Sequence, residues 1–275
     1  MLEMLNRARA NQESSRASGL SSIKTETSYQ CQECKDNEGY FVKVEEEMSV
    51  KGVPTMVPMD RWVDCKCKRN RDIGRTFKSS KITEEFLLKR FENFGLERRP
   101  AIIRSAFQTA KVYADNFQQL RNSRENSICL LGNPGSGKTH LLMAVANELM
   151  NQNVKVLYFP WVEGFNEIKD DLSQMDERIS RLQKVDVLFI DDMWKGRKSP
   201  TEFQIEQAFA IINYRYMEKK PILISSERSI DQMCDIDEAL GSRINEMCKD
   251  FRIVMKGGRE LNYRLREEEV QWELL

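Results

Sequence analysis

Eight consecutive residues, Gly132-Asn133-Pro134-Gly135-Ser136-Gly137-Lys138-Thr139, fit the pattern G-x-x-x-x-G-K-[ST] of a phosphate-binding P-loop. Holding a polyphosphate requires backbone N–H groups turned inward around its oxygens, and glycines let the main chain come that close. A helix starting at Lys138 adds the partial positive charge of its N-terminus. The Lys138 ammonium is aimed at the β and γ phosphates, and the Thr139 hydroxyl is offered to Mg²⁺. His140, the only histidine, falls in the first turn of that helix and packs beside the nucleotide. Further on, Val185-Asp186-Val187-Leu188-Phe189-Ile190 reads as a buried strand ending in Asp191-Asp192. In a parallel sheet the carboxyl ends of neighbouring strands share one crevice. Asp191 can therefore approach the Mg²⁺ held by Thr139 while Asp192 faces the attacking water. The chain is expected to bind a nucleoside triphosphate.

Of seven cysteines, Cys31, Cys34, Cys65 and Cys67 form two close pairs, whereas Cys129, Cys234 and Cys248 are scattered. Cys31-x-x-Cys34 and Cys65-x-Cys67 can each chelate from a tight turn. Four thiolates at about 2.3 Å would complete a closed tetrahedral Zn²⁺ site with no position for a substrate. The spacer contains Gly39-Tyr40-Phe41-Val42 and Lys51-Gly52-Val53-Pro54, the pattern of a β-hairpin. A module this small has too little core to fold without a staple. Disulfides are the alternative use of these residues, and a reducing compartment argues against them.

These groups need elements to position them, and the chain supplies an alternation. Strands are expected at 127–132, 154–159, 185–190 and 221–225, and helices at 138–150, near 163–183 and at 201–218. Alternation of this kind implies a three-layer α/β fold around a parallel sheet. Upstream, Ile102, Ile103, Ala106, Ala110, Tyr113 and Phe117 form a helical stripe between Ile102 and Leu120. The expected organisation is an N-terminal helix and Ser-rich linker over 1–29, a four-cysteine zinc module over 30–72, a basic connector and helical linker over 73–126, and an ATPase domain over 127–275. The 275 residues, 40% hydrophobic, balance 43 basic against 43 acidic side chains. Locally, Lys66, Lys68, Arg69, Arg71, Arg75, Lys78 and Lys81 face only Asp72, which suits either a solvated face or phosphate contact. No apolar run approaches the roughly 18 residues of a membrane helix, and no signal-peptide core follows Met1, so a cytoplasmic protein without membrane contact is expected.

Taken together, Gly132 to Leu141 (GNPGSGKTHL), LFIDD at 188–192, Ile211-Ile212-Asn213-Tyr214-Arg215-Tyr216, Pro221 to Glu227 and Gly241-Ser242-Arg243-Ile244 resemble the AAA+ ATPases that load replicative helicases. These are loaders of the DnaC and DnaI type, with the transposition helper ATPase IstB as a cousin. The likeness covers roughly residues 85 to 265, and the cysteine-rich N-terminal module is similar to those of DnaI-like and phage-encoded loaders.

The resemblance implies ATP and Mg²⁺ as ligands, with Lys138 and Thr139 on the phosphates and metal, Asp191 on the metal, and Phe91 and Phe94 as an aromatic linker beside the base. Ser226-Glu227 lies where the family places its sensor-1 polar residue, and because a carboxylate there would repel the γ-phosphate, Ser226 is the candidate for that work. Arg243 matches the arginine finger given to a neighbouring subunit, which implies self-association. Arg264 and Arg266 are both candidates for sensor 2. The implied activity is loading of a hexameric replicative helicase onto single-stranded DNA, timed by ATP. Asp192 stands where many such ATPases have Glu, so turnover is expected to be slow. A transposition helper, or a zinc-containing DNA-binding protein with a passive nucleotide switch, are the alternatives.

Overall fold

The computed structural model describes residue 29 and residues 31–50, 53–68, 71, 84–196 and 199–265. The expected N-terminal helix and linker, most of the basic run and Arg266 lie outside the described residues. The chain divides into two compact units, Met1–Lys68 and Arg69–Leu275.

The smaller unit is a hairpin on a cysteine knuckle. Strands β1 (Gly39–Val50) and β2 (Val53–Asp64) pair antiparallel along their whole length, from Gly39 opposite Asp64 to Val50 opposite Val53. Cys34 precedes this hairpin and Cys65 follows it, and the Cys65 N–H donates to Glu38 O at 2.8 Å, so the base of the ladder runs into the knuckle. A two-stranded hairpin alone is marginal in water, which makes the knuckle its necessary foundation.

The larger unit is a three-layer α/β fold. Its sheet is all parallel, in the order β4 (Val156–Pro160), β5 (Val187–Met193), β6 (Ile222–Ser226), β3 (Ile128–Gly132), β7 (Arg252–Met255). Strand β3 is buried at every position, as a strand covered on both faces must be. Its side chains alternate between two cores. Ile128 and Leu130 pack with α2 (Ala101–Leu120) and α3 (Lys138–Asn151) on one face, after α1 (Glu84–Leu87). Cys129 and Leu131 pack on the other face with α4 (Trp161–Asp170), α5 (Met175–Lys184), α6 (Glu202–Met217), α7 (Ile230–Cys234) and α8 (Glu238–Met247). The α2 stripe is core: Ile103, Ala106, Ala110, Tyr113 and Phe117 are all buried.

The sequence differs from this structure in three places. The helix expected across 163–183 is two, because Asp171 leaves helical geometry (φ −140°, ψ 84°) and its carboxylate accepts the Ser173 N–H, capping a new start. Strand β5 runs on to Met193 through a register shift between Ile190 and Met193. Strand β7, absent from the sequence reading, closes the sheet beside β3. Among the described residues no helix is long and apolar enough to cross a membrane.

Candidate functional site

The P-loop leaves β3 at Gly132 and enters α3 at Lys138. Gly132 has φ +115°, and a Cβ there would sit 2.2 Å from Met255 O. The position is reserved for glycine because β7 passes directly beside it, and the Asn133 N–H donates to that same carbonyl at 2.9 Å. Gly137 (φ +97°) faces the Phe94 ring, which a Cβ would approach to 2.8 Å. Lys138 is 5% exposed and its ammonium donates to Gly132 O (2.8 Å) and Asn133 O (2.7 Å). Burial holds its pKa below the usual lysine range, with Asp192 and Glu227 pulling the other way.

Asp191 and Thr139 are brought together. The Thr139 hydroxyl donates to Asp191 Oδ1 at 2.9 Å, Tyr158 Oη to Oδ2 at 3.0 Å, and Ser225 Oγ also to Oδ1. The carboxyl group is buried, and that burial raises its pKa against the lowering effect of the hydroxyls. Among the described residues its partners are neutral hydroxyls rather than cations. A buried oxygen donor set of this kind fits a hard divalent ion such as Mg²⁺.

The register shift in β5 sets Asp191 and Asp192 together against Ser225. Asp192 takes φ +54°, its N–H donates to Ser225 Oγ at 2.7 Å, and its carboxylate accepts from Lys195 Nζ at 2.8 Å. Lys195 also pairs with Glu227 at 3.4 Å, so the carboxylate at the position expected for sensor 1 is engaged by an ammonium. Ser226 points elsewhere: its hydroxyl donates to Met193 O (2.6 Å) and accepts the Arg228 N–H (3.1 Å). Of the two serines, Ser225 is the one that meets Asp191.

Phe91 and Phe94 both pack on Phe107 of α2, with ring centroids 5.5 and 5.8 Å away, and Phe94 also lies against Gly137 and edge-on to His140 at 5.1 Å. Arg99 lies over both Phe94 (5.2 Å) and Tyr263 (4.6 Å). His140 Nε2 sits 3.0 Å from both Arg90 O and Asn93 Oδ1, tying the linker to α3. Arg243, on α8, is folded onto its own chain: its guanidinium donates to Ala239 O at 2.7 Å and lies 5.4 Å from the Phe209 and Tyr216 rings of α6. Arg264 donates its backbone N–H to Asn262 Oδ1.

In the smaller unit the four sulfurs of Cys31, Cys34, Cys65 and Cys67 all lie within 4.8 Å of one another, with Cys31–Cys65 at 3.6 Å and Cys34–Cys67 at 3.2 Å. Thiolates about 2.3 Å from a tetrahedral zinc stand roughly 3.8 Å apart, so the set fits that ion. The turn is built for this, with Lys35, Asp36 and Glu38 all at positive φ. The Cys34 N–H brings Cys31 down to about 7, whereas hydrogen bonding to Cys34 pushes Cys67 up. Cys31 ionises readily while Cys65 and Cys67 resist, as crowded thiols do until a cation joins them.

Ser225, Tyr158 and Lys195 were not legible from sequence. Successive serines on a strand face opposite ways, and only the pairing register decides which one meets Asp191. Neither Tyr158 nor Lys195 belongs to a local motif.

Comparison with known proteins gives a consistent set. The bacterial DnaA ATPase domain family matches residues 90–248. The phage-like element PBSX protein XkdC of Bacillus subtilis is 43% identical over 242 residues, covering 86% of each chain. Among solved structures, DnaI superposes with a TM-score of 0.53 at 25% identity over 65% of this chain and 94% of its own. A replication initiator DnaA bound to AMPPCP and single-stranded DNA gives 0.52 at 24% identity over 65% of this chain and 52% of its own.

Proposed function

The chain belongs to the bacterial DnaA ATPase-domain family of AAA+ proteins, a replication-related ATPase, and from that premise we propose that it loads a ring-shaped replicative helicase onto single-stranded DNA. The observation that carries this reading is coverage: the match takes in 94% of the solved DnaI chain against 52% of the solved DnaA chain.

The residues divide the work as follows. Lys138 gives up the Gly132 and Asn133 carbonyls for the β and γ oxygens of ATP. Thr139 and Asp191 hold Mg²⁺, with Tyr158 and Ser225 fixing the Asp191 carboxylate so that its free lone pairs stay in place. Mg²⁺, when bound, neutralises charge developing on the phosphates. Asp192 orients the attacking water, with a side chain one methylene shorter than glutamate, which suits slow turnover and a timing role. Phe94, against Gly137, forms the floor on the base side of the loop. The four-cysteine unit, held by Zn²⁺, presents the hairpin to the helicase, while the ATPase units self-associate along DNA and release on hydrolysis. Arg243 leaves Phe209 and Tyr216 to complete a neighbour's site.

Two experiments test this. Purified full-length protein should form a complex with the cognate replicative helicase in the ATP state and lose it on hydrolysis. Absence of a complex in the ATP state overturns the loader reading. For Arg243, the alanine variant should bind ATP normally and lose about 10³-fold of stimulated hydrolysis. Mixing it with Lys138→Ala subunits should restore activity, and mixed assemblies that stay inactive would return Arg243 to a packing residue.

A further inference from the structure

From the end of β5 toward α6 the chain passes through three left-handed residues in five: Asp192 (φ +54°), Trp194 (+65°) and Gly196 (+105°). Non-glycine residues keep such angles only where their surroundings over-determine them. Here they do. The Asp192 N–H is fixed on Ser225 Oγ, Ser226 Oγ holds Met193 O, and Trp194 is 3% exposed with its ring centroid 4.5 Å from that of Trp161.

What the turn produces is the position of one ammonium. The Lys195 N–H closes on Asp192 O at 3.0 Å, and its side chain returns to Asp192 Oδ2 at 2.8 Å and Glu227 Oε1 at 3.4 Å. The three charges lie close enough to Lys138 to act on it, both carboxylates favouring its charged form and Lys195 opposing it. Their place is fixed by geometry: Asp192 directly follows Asp191, which accepts from Thr139 of the P-loop at 2.9 Å, and both aspartates meet Ser225, so the group stands on the phosphate side of the crevice. Two carboxylates there, unaccompanied, would repel a triphosphate more strongly than a diphosphate, because the γ-phosphate adds its charge nearest to them.

We propose that Lys195 is the positioning residue that adapts this site to Glu227: by pairing with Asp192 and Glu227 together it offsets their repulsion of the γ-phosphate, and so sets the preference for ATP over ADP. The inference rests on the P-loop as an ATP site and is independent of helicase loading. Ion pairs as exposed as these contribute little to folding, so the effect of Lys195 falls on nucleotide affinity.

The test uses the full chain with Mg²⁺ and measures equilibrium affinity for a non-hydrolysable ATP analogue and for ADP. Lys195→Met should weaken the triphosphate about tenfold and ADP less than twofold, the difference expected from one uncompensated charge near the γ-phosphate. Lys195→Arg should keep both affinities, and adding Glu227→Gln to Lys195→Met should restore most of the loss. Equal weakening for both nucleotides, no change in either, or no recovery on adding Glu227→Gln overturns the proposal. If Lys195→Met does not fold, judged by circular dichroism, Glu227→Gln alone decides. It should raise the ATP-to-ADP affinity ratio, and an unchanged ratio sinks the idea. A wild-type chain that binds neither nucleotide would instead overturn the reading of the P-loop.

Discussion

In the larger unit Asp191 is held by three hydroxyls from three different elements, and those elements are held by two hydrophobic cores on either side of a parallel sheet. In the smaller unit Cys34 and Cys65 are buried chiefly within their own knuckle, and the hairpin they anchor leaves Phe41, Met56, Met59 and Trp62 exposed. One site is positioned by packing that exists without its ligand. The other has sulfur ligands whose best reason to stay together is the ion they fit. Geometry in the first should survive loss of the ligand, and geometry in the second should not.

The largest effect expected from this contrast is on the small unit. Cys31→Ser with Cys34→Ser should release one zinc per chain and abolish protease resistance over residues 31–68, since structural zinc contributes on the order of 10 kcal/mol in comparable modules. ATP binding and the unfolding temperature of the larger unit should hold, each unit having its own core. Metal analysis with limited proteolysis checks both halves, and a protease-resistant, metal-free N-terminal region would break the comparison.

Lys138→Ala reverses the roles. Hydrolysis should fall by about 10³-fold or more, as when a preorganised charge partner of the reacting group is removed. The fold should persist, because the Lys138 ammonium bonds the loop carbonyls Gly132 O and Asn133 O, while the sheet is held by two apolar cores that do not include it. Steady-state ATPase assays and circular dichroism separate the two. Unchanged turnover would show that the P-loop is not the working site.

Arg215 tests the packing side more directly. It is fully buried near the end of α6, and its guanidinium donates to the carbonyls of Leu182, Gln183, Val185, Asp186 and Pro221, joining the end of α5 to the starts of β5 and β6. Burial pulls its pKa down to about 9, so the five carbonyls are what keep the cation tolerable there. Arg215→Met removes the donors and strands buried acceptors, and should cost about 3 kcal/mol or more in denaturant unfolding of the larger unit. The zinc content should not change.

Arg215 also marks the boundary of what the sequence could say. Its segment was conspicuous as Ile211 to Tyr216, yet a lone arginine in an apolar helix gives no hint of five carbonyls drawn from two distant stretches of the chain. The P-loop, the parallel strands and the long α2 helix were legible because their signals are local: spacing, period and continuous apolar runs. The register shift that turns Asp192 into the left-handed region, the closing strand β7 and the split after Asp170 were not. Each depends on a pairing or a cap decided across the fold. The four cysteines were legible as a cluster because metal spacing is itself a local rule. The exposed face of the hairpin was not, since alternation in Gly39–Val50 looks the same whether or not a core lies beneath it.

The smallest effect is the sharpest measure of the contrast. Phe41 and Trp62 face each other across the hairpin at 4.9 Å, edge to face, yet both remain largely open to solvent, whereas Phe189 at the centre of β5 is fully buried. Phe189→Ala should cost about 3–5 kcal/mol through lost burial and the cavity left behind. Phe41→Ala gives up only the pair contact, about 0.5 kcal/mol, and should lower amide-exchange protection in the hairpin by roughly a factor of two. Hydrogen exchange on the zinc-loaded full chain reads both units in one experiment. If Phe41→Ala instead removed protection across the whole small unit, the hairpin would be contributing a core of its own, and the cysteine knuckle would no longer be its main support.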